Sequence, residues 1–201
     1  MTSRRLVWTA LAVLMCSCAL SPISPPPPAT IRTVAVLPPY NRTGDSLLVA
    51  GSSLLETYVL RSRPVTVGDV LAADIRAQLP QRGYIVVTPE VVEAAIGSQV
   101  PHSPQEAADV AARGKLEGSV LYIQINRWEP GDETLHPRSV LVAVDASLID
   151  ATTGRVVWTA HLPLRPVLTP GSVTLGAAYT LASREVTKEL LTAWGPERRP
   201  S

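Results

Sequence analysis

The chain has few side chains with reactive chemistry, and their positions narrow what that chemistry is. Both cysteines, Cys16 and Cys18, fall in Met15-Cys16-Ser17-Cys18 at the end of an apolar run. A thiol placed there, directly after a small residue, has the pattern of a lipobox. Cleavage between Ser17 and Cys18 frees the amine, and the Cys18 sulfur receives a diacylglycerol. One acyl chain holds a protein to a membrane only marginally, whereas two or more anchor it stably. Cys16 fits less well, because bulky Met15 would then sit at the cleavage site. With no cysteine after Cys18, the rest of the chain has no disulfide, no thiol nucleophile and no thiolate metal site.

The other candidate groups are scattered. His102, His136 and His161 show no zinc-ligand spacing such as H-E-x-x-H. Ser52 and Ser53 follow Gly51 without a G-x-S-x-G elbow, and Gly44 and Gly51 are too isolated for a phosphate loop. No catalytic set, metal or cofactor is expected. Asp145 lies in an apolar run, and strand alternation places it opposite the Val144 face. An exposed strand face is one reading; a buried carboxylate with a raised pKa is the other. If the protein were a hydrolase, Asp145, His161 and Ser147 would be the first residues to test. Tyr40, Asn41 and Arg42 make a candidate partner-binding loop, or a packed turn. Trp128 and Trp158 suit sheet packing, and Trp128 is also a candidate partner anchor, since Trp and Tyr are enriched in binding hot spots.

These residues need elements to position them. Residues 1–17 read as a signal peptide, with Arg4 and Arg5 before the apolar run Leu6 to Met15. That run is too short to span a bilayer, which takes about 20 residues. An ordinary signal peptide or an uncleaved anchor are the alternatives. Ala19, not Asp, follows Cys18, which favours the outer membrane, with the domain facing the periplasm. Residues 18–30 form a tether. Its four consecutive prolines, Pro25 to Pro28, favour an extended spacer of about 3.1 Å per residue. Residues 31–194 form one domain, and 195–201 a disordered tail. At 46% hydrophobic and 17% charged residues, the chain can bury an aliphatic core. The net charge of +1 includes Arg4 and Arg5, so residues from 18 onward carry −1 by the same count. That balance, with sparse aromatics, excludes the basic footprint of a nucleic-acid binder.

Within the domain, Ile31 to Leu37 reads as a strand. Leu47 to Val65 reads as a hairpin-like excursion. Gly68 to Gln81 has helical spacing, with Thr66 or Asp69 to start it and Gly83 just beyond. Tyr84 to Val87 is a strand. Thr88-Pro89 opens a helix through Ile96, and Ser103-Pro104-Gln105-Glu106 opens another that ends at Gly114. Ser119 to Trp128, Ser139 to Asp150 and Arg155 to His161 make an antiparallel meander. Leu162 to Pro170 is expected to be a loop. Val173 to Trp194 is a closing helix, with Leu175, Ala178, Leu181, Ala182, Val186 and Leu190 as its buried stripe. The order predicts an α/β sandwich, three-layer-like or two-layer, with a mixed sheet and helices mainly on one face.

Three stretches carry a resemblance. They are Val34-Ala35-Val36-Leu37-Pro38-Pro39 with Asn41-Arg42-Thr43-Gly44, then Arg82-Gly83-Tyr84 before Ile85-Val86-Val87, and Ala146-Ser147-Leu148-Ile149-Asp150 before Thr153-Gly154-Arg155-Val156-Val157-Trp158. From about Ile31 to Leu191 the chain resembles a superfamily of small periplasmic lipoproteins. That group includes the curli-secretion lipoprotein and the lipoprotein activators of penicillin-binding proteins. The resemblance implies a fold and an envelope role but carries no functional residues over. With the lipobox, the spacer, the expected α/β sandwich and no catalytic constellation, the leading reading is a membrane-anchored, non-enzymatic protein-binding or assembly module whose partner is an envelope protein or a further copy of itself. An oligomeric outer-membrane secretion or transport component is an alternative, although the chain lacks the insertions a pore-forming member needs. An envelope hydrolase is the third reading.

Overall fold

The computed structural model describes residues 26–50, 64–97, 99–132, 134–136 and 138–194. The expected signal peptide, Cys18 with its expected cleavage site, most of the expected tether and the expected tail lie outside those residues.

The first strand, β1 (Thr33–Val36), shows why the domain has layers. Val34 and Val36 join one apolar cluster, while Ala35 and Leu37 join another. A strand buried on both faces reads as an unbroken apolar run, and it belongs in the parallel part of a sheet. β1 pairs in parallel with β5 (Ile85–Val86) on one side and β6 (Ser119–Pro130) on the other. The short β2 (Tyr40–Asn41) runs on beside β6, also in parallel. From β6 the sheet turns antiparallel through β7 (Ser139–Asp150) to β8 (Val156–Leu168), giving the order β5-β1-β6-β7-β8. The ends of the 47–65 excursion pair as a separate two-stranded sheet, β3 (Leu48–Ala50) with β4 (Val65–Thr66). Residues 51–63 between them lie outside the described residues.

Two helices cover one face. α1 (Val67–Gln78) starts at Thr66, whose side chain accepts from the Asp69 N–H. The Asp69 carboxylate accepts from the Thr66 N–H at 2.8 Å, so both candidate starters serve one capping box. The helix stops short of Gln81. Pro80 lacks an N–H and crowds the preceding turn, so residues Pro80–Arg82 form a 3-10 turn that Gly83 closes at φ 80°. α4 (Leu175–Ala193) packs beside α1. Its buried stripe differs from the expected one. Ala178/Tyr179, Ala182/Ser183, Val186/Thr187 and Leu190/Leu191 face the core, while Leu175 is 50% exposed and Leu181 is half-buried. The Ser183 hydroxyl is accommodated there because it donates to the Tyr179 carbonyl.

On the other face α2 (Pro89–Ile96) and α3 (Pro104–Arg113) cover only one end of the sheet. The architecture is therefore α/β with a mixed six-stranded sheet, the larger helices on one side and a small pair on the other. The Ser103 hydroxyl caps α3 by accepting from the Glu106 N–H. Glu106 reaches back to the N–H of His102 rather than to that of Ser103.

The expected loop at Leu162 to Pro170 is not a loop, because β8 continues to Leu168 through Pro163 and Pro166. Proline is tolerated there because β8 is an edge strand with one row of N–H groups unpaired. At the β7–β8 turn the Asp150 carboxylate accepts from the N–H of Thr153, the Thr153 hydroxyl and the N–H of Thr152. Those donors hold its carboxyl below the ordinary carboxylate range. A depressed carboxyl pKa stabilises the fold above the unfolded pKa of about 3.9, and the gain is lost as pH falls through the folded value. The stability difference between wild type and Asp150→Asn should therefore be largest above pH 4 and shrink in acid. Chemical denaturation across pH 2–6 measures it.

Candidate functional site

The cluster under α2 and α3 reaches Tyr122 on β6 and Ile149 on β7. Beyond them the same sheet face is half-buried or exposed, and it is polar. Strand alternation puts Tyr122, Gln124, Asp145 and Ser147 on it, and the register sets Gln124 against Asp145 and Asp145 against His161. The ladder shifts register between Ile125 and Arg127. Such a bulge re-aims a side chain, and Asn126 uses it to reach Asp145.

A row of hydrogen bonds crosses three strands. The Tyr122 hydroxyl donates to Gln124 Oε1 at 3.1 Å. Gln124 Nε2 donates to Asn126 Oδ1 at 2.6 Å, and Asn126 Nδ2 donates to Asp145 Oδ2 at 2.7 Å. The other Asp145 oxygen meets His161 Nδ1. Asp145 is thus half-exposed on an open face, not buried. Ser147 lies two pairs along the ladder, opposite Thr159 and Tyr122. A triad needs the nucleophile's hydroxyl hydrogen-bonded to the imidazole, and no such bond occurs among the described residues. Those residues also hold no group of three or more His, Cys, Asp or Glu placed to bind a metal.

At the covered end of this row Tyr40 stacks on His102, with ring centroids 4.6 Å apart. Burial pushes the Tyr122 hydroxyl up to about 12, helped by Tyr40 and by the Glu106 and Asp145 carboxylates, with Arg42 opposing. A phenol whose pKa is raised on folding gives stability that is full below its unfolded pKa of about 10 and lost as pH rises through the folded value. Ultraviolet titration should show Tyr122 as a tyrosinate signal near pH 12 that Tyr122→Phe removes.

The structure also brings the sequence candidates near one another. Arg42 and Trp128 line a small hollow with Asp45, Asn126 and Glu129. For Asn41 and Trp128 the structure shows the packing that is one of the two readings. Trp128 is 1% exposed and packs edge-on against Tyr179, so it is a wall rather than a free anchor. Asn41 builds the turn: its Oδ1 accepts from the Thr43 N–H and hydroxyl, and its Nδ2 donates to the Asp45 carbonyl. Arg42 is exposed. Ser17 and Cys18 lie outside the described residues.

Sequence reasoning missed Gln124 and Asn126. The alternation of Tyr122, Gln124 and Asn126 within the β6 stretch was the available signal. It also missed a cleft of about 690 Å3 at the far end of β6, between residues 45–49 and the start of α4. Nothing local announces that cleft. At its edge Gly176 lets α4 approach Val49, where an added Cβ would meet the Val49 carbonyl at 2.3 Å.

No protein-family model and no curated protein sequence matches the chain. Solved structures do resemble it in fold. The PelC dodecamer from Paraburkholderia phytofirmans is 17% identical over 88% of this chain and 95% of that one, at a TM-score of 0.47. Lipoprotein GNA1162 from Neisseria meningitidis is 20% identical over 79% and 96%, at 0.41. The LpoB C-terminal domain from Salmonella enterica is 17% identical over 68% and 82%, at 0.38. At such identities the likeness is one of fold.

Proposed function

We propose that the chain is a membrane-tethered, non-enzymatic docking module of the bacterial envelope, held by lipid on Cys18 at the outer membrane. The observation that supports it most is the uncovered half of the second sheet face. A sheet needs both faces satisfied, by helices, by water or by a partner. Here α2 and α3 cover one end down to Tyr122, and the rest presents a polar row from Gln124 to His161 that is hydrogen-bonded within itself. Such a row is pre-ordered, so a partner meets it at little cost in side-chain entropy. No helix among the described residues is long and apolar enough to cross a membrane, and the acyl chains on Cys18 supply the anchor. Mild cross-linking in cells followed by pull-down tests the reading. It predicts a specific envelope protein, or a defined homo-oligomer, enriched by the wild type and lost with Cys18→Ser. Recovery of neither would contradict it.

The contact between Asp145 and His161 favours a second reading, an envelope hydrolase. It predicts a hydrolytic activity on cell-wall or ester substrates that falls in Asp145→Ala, His161→Ala and Ser147→Ala. An activity unchanged in all three removes this reading.

A further inference from the structure

The cleft at the far end of β6 has features that the open sheet face does not. The tether joins the domain at β1, which pairs with the first residues of β6. The cleft is lined by the last residues of the same strand, Trp128, Glu129 and Pro130. About nine strand residues at about 3.3 Å each separate the two ends by roughly 30 Å. A cleft held away from the anchored end is free to meet another protein.

Its walls are aliphatic and aromatic, from Leu47, Leu48 and Val49 on one side to Leu175 and Tyr179 on the other. The nearby Val173 is 94% exposed, and Leu175 is 50% exposed. Within these walls sit two carboxylates, Asp45 and Glu129, and no described Lys or Arg lines the cleft. Both lie close enough to Tyr179 to add to the burial that raises its hydroxyl pKa. Glu129 is bridged from outside by Arg127 at 2.7 Å, while Asp45 has no ion-pair partner among the described residues. The start of α4 also opens here, with the Ala177 N–H already taken by the Thr174 hydroxyl. The indole Nε1–H of Trp128 has no acceptor among the described residues.

We propose that this cleft binds a protein partner through a peptide segment that places an Arg or Lys between aliphatic side chains. The cation answers the Asp45 and Glu129 carboxylates, and the aliphatic groups cover Leu48, Val49 and Leu175. The volume of about 690 Å3 is in the range of pockets that hold such groups. A basic polysaccharide would answer the charge but not the aliphatic walls. The proposal rests on the docking-module reading and names where the partner sits.

The test uses the full-length protein in detergent micelles and the peptide acetyl-Leu-Arg-Leu-Arg-Leu-amide. The readout is the Trp128 indole N–H resonance, assigned by its loss in Trp128→Phe. The peptide should shift that resonance to saturation. Binding should weaken about tenfold or more in the Asp45→Asn, Glu129→Gln double variant, and equally when citrulline replaces arginine. Leu175→Ser, which removes an aliphatic wall and adds no charge, should also weaken the shift. An equal shift with the citrulline peptide, no shift at millimolar peptide, or tighter binding of a glucosamine tetramer would each overturn the proposal. The two levels of the account separate in a cross-linking comparison. A partner recovered equally by wild type and double variant overturns the cleft and leaves the docking module standing. Peptide binding with no envelope partner in cells leaves the cleft and overturns the docking module.

Discussion

Trp158→Ala should lower the stability of the domain by about 3–5 kcal/mol, the cost typical of truncating a buried tryptophan. The side chain is 2% exposed on β8 and packs with Trp194 at 5.0 Å between ring centroids. Trp194 in turn meets Tyr84 edge-on at 5.7 Å. Truncation therefore opens a hole where the end of α4, the sheet and the approach to β5 converge. A single domain is stable by only about 5–15 kcal/mol, so the variant loses a large share of its margin. Trp158→Phe separates packing from polarity. The Trp158 indole N–H has no acceptor among the described residues, so replacing the indole with a smaller aromatic ring forfeits no hydrogen bond there. The phenylalanine variant should lose much less than the alanine variant. Urea denaturation followed by circular dichroism compares the three proteins, and equal losses in both variants would contradict this picture.

Gly118→Ala should be as damaging, for a backbone reason. Gly118 leads into β6 at φ +78°, and a Cβ there would sit 2.4 Å from the Thr33 carbonyl oxygen and 2.8 Å from the Thr33 Cβ. The left-handed conformation costs an L-residue about 1–2 kcal/mol. The clash adds an overpacking term of about 1–3 kcal/mol, because β1 and β6 must part to relieve it. That pair is the parallel seam on which both helical layers rest. Loss of soluble folded protein, or a fall in melting temperature comparable with that of Trp158→Ala, is the expected result. Gly44→Ala is a matched comparison: its φ is +86° with nothing within 4 Å of the added Cβ, so it bears the conformational cost alone.

Much of this fold is legible in the residues themselves. The meander shows because alternation in Ser139 to Asp150 and the turn residues Thr153 and Gly154 act locally. The starts of α1 and α3 show because Thr66 with Asp69, and Ser103 with Glu106, are short-range caps. What escapes a sequence reading depends on position in the sheet. Pro163 and Pro166 look like loop residues until β8 is known to be an edge. The face α4 buries is set by α1 and β7 across the core, so Tyr179 and Leu191 replace Leu175 and Leu181 in its stripe. The same holds for the site. Asp145 and His161 stand out singly, but only the β7–β8 register joins them, and only the bulge at Asn126 extends the row to β6. The cleft is lined by residues 45–49, 128–130 and the start of α4, which are far apart in sequence.

The proposed lipid anchor governs the rest, because an open sheet face and a distal cleft meet envelope partners only if the domain is held at a membrane. Intact-mass analysis of the protein extracted from membranes, beside its Cys18→Ser variant, tests that point most directly. The account predicts a wild-type chain that begins at Cys18 with the mass of acyl chains added, and a variant that carries no lipid. A mature chain that begins elsewhere and bears no lipid would contradict it.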